Sequence, residues 1–229
     1  MNYFLDTNVI IGHIFEIDSL YKKSLEIFLK EGFKIFSENV KIEVKNVFQS
    51  KIDDIKEFIY KLCLELNKNK RNIFISKSEA NDIISKGEKI GKINTEEMKK
   101  IIDAIWERYE FKEEISVDKF LSILINFNRF YKTKLFQSKE DTLKNMCLIQ
   151  SHSKKDEKIL EMIKEKQLKK LIHDEDEDIL FDLNEYAKHH PELDLCFVSW
   201  DDDFIKTVKI LLDQLSFKKY IGRHESKIK

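Results

Sequence analysis

Two short apolar runs, near opposite ends of the chain, lead directly into aspartates. The first is NYFL (2–5), which is followed by Asp6, and the second is LCFVS (195–199), which leads into the acidic run WDDDF. Helical patterns, with apolar residues three or four positions apart, follow both runs. Strands that alternate with helices form a parallel sheet, and the carboxyl ends of parallel strands meet at one edge. The chain is therefore predicted to be an α/β protein with a mainly parallel central sheet flanked by helices, and with acidic side chains along one edge.

Glycine and proline are scarce, with 5 Gly and 1 Pro in 229 residues. Tight turns depend on these residues, so an all-β fold is disfavoured and helices are favoured. A hydrophobic content of 42%, with 17 Phe, is sufficient for a substantial core. The 41 basic and 42 acidic side chains nearly cancel, so nucleic-acid binding would require a local basic patch rather than a global field.

The pattern changes in the middle of the chain. Helical patterns rich in Lys and Glu dominate from about residue 50 to 165, with one ambiguous strand at 72–76. Strand and helix signals alternate again after this segment. We therefore expect an α/β core made of residues 1–48 and 166–229, and an α-helical insertion over 49–165 that packs on the core.

The cellular compartment is predicted from the absence of disulfide, targeting and membrane-spanning patterns. The three cysteines are far apart and odd in number, which indicates neither a disulfide framework nor a zinc site. No targeting segment begins the chain, and no stretch approaches the ~20 apolar residues that span a bilayer. We expect a cytoplasmic protein without a membrane partner.

Four acidic positions each have an ordinary structural explanation. Asp6 can cap the following helix, and the runs 173–178 and 201–203 can begin helices, where the dipole favours carboxylates. Glu43 lies beside Val44, on the edge of an apolar helix face. Each position taken alone indicates capping or solvation more than chemistry.

Together the four positions indicate a cation site. They lie at two strand ends and on two helices of a presumed parallel sheet, and such elements converge on one edge. Carboxylates that are held close together raise one another's pKa or share a cation. Hard oxygen ligands suit Mg²⁺ or Mn²⁺, and a bound water on such an ion can attack a phosphodiester.

The first and last of these segments resemble the motifs of PIN-domain nucleases. The first family motif is a strand that ends in an aspartate, commonly followed by Thr or Ser and then Asn. The fourth is Ser or Thr, any residue and Asp after a buried strand, often with a second aspartate two residues later. The matching residues are Asp6, Thr7, Asn8, Ser199, Asp201 and Asp203.

The two middle motifs resemble the same family, in the same order along the chain. The second is a glutamate on a helix after the second strand, and Glu43 matches it in an S-x-x-V-x-x-E setting that begins at Ser37. The third is an aspartate at the start of a helix, where Asp176 and Asp178 are alternatives that the sequence leaves open.

The resemblance implies a metal-dependent endoribonuclease. Asp6, Asp201 and either Asp176 or Asp178 would bind one or two Mg²⁺ or Mn²⁺ ions, with Asp203 as a further ligand. Glu43 would bind metal or orient the attacking water. The supporting residues would be Thr7, Asn8 and Ser199, which hydrogen-bond to the carboxylates or stabilise the turn.

The helical segment of about 50–165 is a departure from the family, which usually has a much shorter middle. A catalytically silent RNA-binding or scaffold protein and the toxin of a toxin–antitoxin pair are the alternatives. The partner expected is RNA, and a homodimer and an antitoxin partner stay open. Aromatic residues of the insertion could stack on bases, although helical spacing is more typical of core packing; they are Trp106, Tyr109, Phe127, Phe130 and Tyr131.

Overall fold

The computed structural model of the protein describes residues 1–68, 73–86, 93–151 and 155–224. These residues form a five-stranded, all-parallel sheet, a separate two-stranded antiparallel sheet and nine α-helices. The predicted α/β class, with a parallel central sheet and a long helical segment, is confirmed.

The elements alternate between strand and helix at both ends of the chain. The strands are β1 (Asn2–Leu5), β2 (Lys34–Ser37), β3 (Phe74–Ser76), β4 (Glu114–Ser116), β5 (Cys147–Ile149), β6 (Leu195–Val198) and β7 (Lys219–Ile221). The helices are α1 (Thr7–Ile14), α2 (Tyr21–Leu29), α3 (Glu38–Lys68), α4 (Lys77–Lys86), α5 (Thr95–Arg108), α6 (Val117–Lys144), α7 (Glu157–Glu165), α8 (Asp174–His189) and α9 (Asp202–Leu211).

The parallel sheet has the strand order β5-β2-β1-β6-β7. The first and sixth strands are neighbours, and Leu5 is the register partner of Val198. Their continuous apolar sequences fit a sheet that is covered on both faces. Phe4 and Phe197 are fully buried, and Phe197 also packs against Phe204 of α9 with ring centroids 4.9 Å apart.

Two details around β2 follow from local chemistry. Gly32 precedes the strand with φ +115°, and a Cβ at this position would collide with the carbonyl of Met1. Only glycine adopts such a conformation readily. At the other end of the strand, Ser37 Oγ accepts from Val40 N at 3.4 Å, which satisfies one free N–H at the start of α3.

One strand of the sheet lies inside the predicted insertion. Cys147–Ile149 pair with β2 as an edge strand, in register with Ile35 through Ser37. This strand has only three residues, and its side chains are mostly exposed, so it lacks the buried apolar run that marked the others. The predicted insertion ends at residue 165, whereas the strand pairing shows that residues 147–149 belong to the parallel sheet.

The chain divides into two compact units. Unit 1 comprises residues 1–16, 20–46 and 140–229 and contains the parallel sheet; unit 2 comprises residues 17–19 and 47–139. Two of the boundaries fall within α3 and α6, and residues 17–19 lie between α1 and α2. In unit 2, β3 and β4 form the antiparallel pair. The ambiguous strand at 72–76 includes β3, and residue 72 lies outside the described residues.

Unit 2 has its own apolar core and its own buried ion pairs. Trp106 packs edge-on against Phe120, with ring centroids 4.9 Å apart. Lys51 lies 2.6 Å from Asp18 and 3.6 Å from Glu97. Glu97 also closes a capping box with Asn94 at the start of α5. All of these contacts lie within unit 2.

No helix in the part of the chain that the structure describes is long and apolar enough to cross a lipid bilayer.

Candidate active site

The pairing of β1 with β6 brings two distant residues side by side. The backbone N–H of Asp6 donates to the carbonyl of Val198 at 3.0 Å, which continues the parallel ladder past the last strand residues. Asp6 and Ser199 therefore leave the same edge of the sheet, and Ser199 Oγ donates to Asp6 Oδ2 at 2.6 Å. The predicted meeting of the two strand ends is observed.

Asp6 is buried among neutral donors. Only 3% of the surface of this residue is exposed to solvent. Oδ1 accepts from Thr7 N at 2.7 Å, which caps α1, and Oδ2 accepts from Asn8 Nδ2 at 2.8 Å as well as from Ser199. These bonds hold the carboxyl group in one orientation, but none of the donors carries a charge.

The environment raises the pKa of Asp6 from its ordinary value of 3.8 to about 7. Burial is the largest cause, because a carboxylate loses hydration there. The hydrogen bond from Ser199 and that from Thr7 N lower the pKa, whereas the charges of Glu43 and Asp176 raise it. Asp6 is therefore an acid that a nearby cation would ionise at neutral pH.

Glu43 reaches the same edge from α3. Thr7 Oγ1 donates to Glu43 Oε2 at 2.7 Å, so the residue after Asp6 positions the second carboxylate. Burial raises the pKa of Glu43, the hydrogen bond from Thr7 lowers it, and the charges of Glu175 and Asp201 raise it. This glutamate is half-buried and interacts with carboxylates from two other elements.

Asp176 enters the cluster from the start of α8. Its Oδ2 accepts from His173 N at 3.2 Å, within the capping box of this helix. Its pKa is raised to about 6, chiefly by burial, while the bond from His173 lowers it and the charges of Glu43 and Asp201 raise it. Asp176 is thus coupled to the acids at both strand ends and on α3.

Asp178 and Asp203 have different surroundings. Asp178 lies 2.6 Å from Lys155 Nζ, and the exposed Asp203 lies 2.7 Å from Lys206 Nζ. Each carboxylate is therefore compensated by its own lysine. Their predicted roles as metal ligands stay predictions. The lysine partners favour Asp176 over Asp178 as the member of the cluster from α8, and they make Asp203 a less suitable ligand than Asp201.

Asp201 is exposed and caps α9. Its Oδ1 accepts from Asp203 N at 2.8 Å and from Phe204 N at 3.0 Å. One oxygen is thus occupied by the helix, while the charge of the group raises the pKa of Glu43 and Asp176. The two strand-end aspartates therefore differ, since one is buried and the other is exposed to solvent.

Asn8 and Ser199 join the two strand ends. Asn8 Oδ1 accepts from Trp200 N at 2.8 Å, while its amide nitrogen donates to Asp6. Ser199 Oγ accepts from Asp201 N at 3.0 Å and donates to Asp6. These two of the three predicted supporting residues thus connect the segment after β6 to the carboxyl group after β1.

Glu175 is a neighbour that the sequence did not single out. Its charge raises the pKa of Glu43, although the residue is exposed. The acidic run 173–178 includes Glu175, but a helix start with several adjacent carboxylates does not indicate which of them face Glu43. Only the packing of α8 beside α3 distinguishes Glu175 and Asp176 from their neighbours.

We name the group of Asp6, Glu43, Asp176 and Asp201 the carboxylate cluster. Within the described ranges, none of these four side chains forms an ion pair with Lys or Arg. The donor set is chemically suited to a hard divalent cation. However, no three His, Cys, Asp or Glu side chains among the described residues come together as a metal-binding group.

Comparison of the chain with protein-family models, with curated proteins and with solved structures found no match. The resemblance to PIN-domain nucleases therefore depends on the motifs and on the site geometry alone.

Proposed function

We propose that this protein is an endoribonuclease that hydrolyses RNA phosphodiester bonds at the carboxylate cluster with Mg²⁺ or Mn²⁺. One observation carries the proposal: the four carboxyl groups of the cluster, which follow β1 and β6 or lie on α3 and α8, interact at one sheet edge. Among the described residues, none of them forms a salt bridge with Lys or Arg. Retaining such a set costs free energy. A bound divalent cation would offset this cost.

The carboxylate oxygens of the cluster are the type of ligand that Mg²⁺ and Mn²⁺ prefer. Asp6, Asp176 and Asp201 would hold the ion, with Glu43 beside it, and the carboxylates would have to move closer together than they are in this structure. When bound, such an ion supplies charge stabilisation at the scissile phosphate and lowers the pKa of a bound water.

The protein's own residues would orient the groups that act. Thr7 holds Glu43 by a hydrogen bond of 2.7 Å, so that Glu43 is placed to orient the attacking water or accept its proton. Ser199, Asn8 and the backbone of Thr7 fix both oxygens of Asp6. The raised pKa of Asp6 means that cation binding and deprotonation are coupled in this group.

The order of the motifs supports RNA as the substrate. FLDTN, S-x-x-V-x-x-E, an acidic helix start and SWDDD occur in the order found in PIN-domain nucleases. A PIN-like fold and this activity are thus proposed together. An RNA-binding or scaffold protein without activity, and a toxin acting through the same site, are the alternatives.

The test is cleavage of end-labelled RNA with Mn²⁺, with Mg²⁺ and with EDTA. We expect metal-dependent internal cleavage, and a loss of at least ~100-fold in Asp6→Asn and in Asp201→Asn. Asparagine remains a good helix cap, so the second variant preserves α9. Circular dichroism would show that both variants are folded.

Asp203→Asn is the matched control, because it makes the same change two positions from Asp201. Asp203 is exposed and paired with Lys206, so we expect cleavage within about threefold of wild type. Wild-type cleavage in both Asp6→Asn and Asp201→Asn would refute the proposed mechanism. RNA binding without cleavage by the wild-type protein would favour the silent RNA-binding alternative.

A further inference from the structure

The helix α6 contains a long segment without acidic residues. Residues 119–139 include Lys119, Arg129, Lys132, Lys134 and Lys139, and no Asp or Glu. At the chain's average of 42 acidic residues in 229, a segment of this length would contain about four. A chain of nearly neutral net charge therefore has a concentrated positive region within unit 2.

Five residues of this segment form one continuous row, which we name the α6 stripe. They follow the helical spacing i, i+4, i+7, i+11 and i+14, and are Ile125, Arg129, Lys132, Phe136 and Lys139. This spacing places them on one face over ~21 Å of helix. Arg129 and Lys132 are exposed, and Ile125 is 54% exposed.

The opposite face of α6 forms part of the core. Phe120, Leu124, Phe127 and Leu135 are all buried. The helix is thus anchored by one face while the stripe faces solvent. A rigid helix that presents a row of cations is a suitable surface for a polyanion.

The cations of the stripe are not neutralised by carboxylates. In the described part of the chain, Arg129, Lys132 and Lys139 form no ion pair with Asp or Glu. Exposed lysines on α3 differ: Lys61 lies 2.8 Å from Glu57, and Lys68 lies 2.7 Å from Glu65. The stripe therefore keeps its positive charge available for an outside partner.

Phe136 lies between the cations of the stripe. Its ring packs edge-on against the buried Phe48, with centroids 5.0 Å apart and planes at 78°. Lys132 Nζ and Lys139 Nζ lie 5.8 Å and 4.9 Å from its centroid. The half-exposed ring is thus fixed in place beside two ammonium groups, so a stacked base and its phosphate could be bound at adjacent points.

Most of the aromatic residues that the sequence singled out are less suitable for stacking on bases. Trp106, Phe127 and Tyr131 are buried. Phe130 is exposed, but the guanidinium of Arg108 lies 3.4 Å from its ring centroid. Most of the predicted stacking residues therefore belong to the core, and Phe136, which the sequence did not single out, has the better position.

We propose that the α6 stripe binds single-stranded RNA. Arg129, Lys132 and Lys139 contact successive phosphates, and Phe136 stacks on an unpaired base. Charge complementarity and the fixed, half-exposed ring of Phe136 carry this inference, because single strands are bound without sequence preference by cations that contact phosphates and aromatic rings that stack on bases. The choice of RNA, rather than another polyanion, rests on the proposed nuclease function.

The test measures binding, not cleavage. Fluorescence anisotropy of labelled polyuridine would be recorded with the full chain in EDTA over a series of NaCl concentrations. The triple variant Arg129→Gln/Lys132→Gln/Lys139→Gln should weaken binding and flatten the slope of log K against log [NaCl] by about 2, since each phosphate contact on a single strand contributes about 0.7. Lys61→Gln, which changes a paired lysine in the same unit, should leave the slope unchanged.

A second pair of variants tests the aromatic contact. Phe136→Leu keeps apolar volume but removes the stacking surface, so it should weaken polyuridine binding at least about fivefold, whereas Phe136→Tyr should not. Duplex RNA should bind more weakly than polyuridine, because its bases are already stacked. Equal loss in Phe136→Tyr and Phe136→Leu, or preference for the duplex, would contradict base stacking.

The binding outcomes are independent of the nuclease test. An unchanged affinity and salt slope in the triple variant would overturn the inference even if wild-type protein cleaves RNA. The same is true if Lys61→Gln lowers the slope as much as the triple variant does. A flattened slope without any metal-dependent cleavage would support the stripe and refute the nuclease.

Discussion

The carboxylate cluster of unit 1 and the α6 stripe of unit 2 each gather charges of one sign that form no salt bridge within the described residues, but the two regions differ in burial. The stripe is largely exposed, so water and salt screen its charges within ~10 Å. The cluster contains a carboxyl group that is 3% exposed, and the pKa of Asp6 rises to about 7. The difference between the two regions is therefore one of burial more than of the number of like charges. The exposed stripe can attract a polyanion, whereas the buried cluster needs a bound cation.

The largest expected effect separates two aspartates of α8. Asp176→Asn should reduce metal-dependent RNA cleavage at least ~100-fold, because it removes a group coupled to Glu43 and Asp201. Asp178→Asn should change the rate less than about threefold, because Asp178 is paired with Lys155 at the surface. Single-turnover cleavage of labelled RNA would measure both. The reverse ranking would mean that Asp178, and not Asp176, is the member of the cluster from α8.

The second prediction is that the two regions respond to different ions. At an Mn²⁺ concentration ~100-fold above Kd, binding at the cluster adds about 2.7 kcal/mol of stability. This corresponds to a rise in Tm of roughly 5–10 °C for a domain of this size. Differential scanning fluorimetry should show the rise in wild type and not in Asp6→Asn.

The triple variant of the stripe is the control for the metal response. It should keep the full rise in Tm with Mn²⁺, because none of its three residues belongs to the cluster. A reduced rise in this variant would mean that the divalent ion acts through the stripe, and the distinction between the two regions would fail.

The third prediction concerns pH in the absence of divalent ions. The folded-state pKa of Asp6, about 7, is above its ordinary value of 3.8, so the folded protein binds the proton more tightly than the unfolded chain does. The stabilisation from this group is therefore present at low pH and is lost as pH rises from about 4 through 7. Urea unfolding in EDTA should show a smaller decrease in stability between pH 5 and 8 for Asp6→Asn than for wild type. Equal decreases would contradict the buried, cation-free environment of Asp6.

The smallest expected effect comes from the hydroxyl that holds Glu43. Thr7→Val removes the 2.7 Å hydrogen bond to Glu43 Oε2 but keeps the shape of the side chain. We expect a loss of about 1.5 kcal/mol in transition-state stabilisation, or roughly tenfold in cleavage rate. Thr7→Ser should restore most of the rate because it keeps the hydroxyl. Equal rates in Thr7→Val and wild type would mean that the bond does not position Glu43.

Much of the fold could be predicted from local patterns. The apolar runs at 2–5 and 195–199 contain β1 and β6, as expected. The edge strand β5 could not be predicted, because three mostly exposed residues carry no periodic signal. Its pairing with β2 depends on contacts more than a hundred residues apart in the sequence.

The candidate site could be predicted only in part. The positions of Asp6, Glu43 and Asp201 at one edge follow from the strand and helix pattern. The sequence could not distinguish Asp176 from Asp178, because both fit a helix start, and they lie about 200° apart around the helix axis. Only the packing of α8 decides which of them is near Glu43 and which pairs with Lys155.

The sequence by itself determined that this chain alternates strands and helices and that carboxylates follow its buried strands, because apolar periodicity and capping are local properties. The tertiary structure alone decided that β1 lies beside β6, that Ser199 donates to Asp6 across 193 positions, and that Asp6 is desolvated. Desolvation depends on every element packed around a group, so no local pattern can reveal it. The same burial raises the pKa of Asp6 and makes a bound cation the expected partner of the carboxylate cluster.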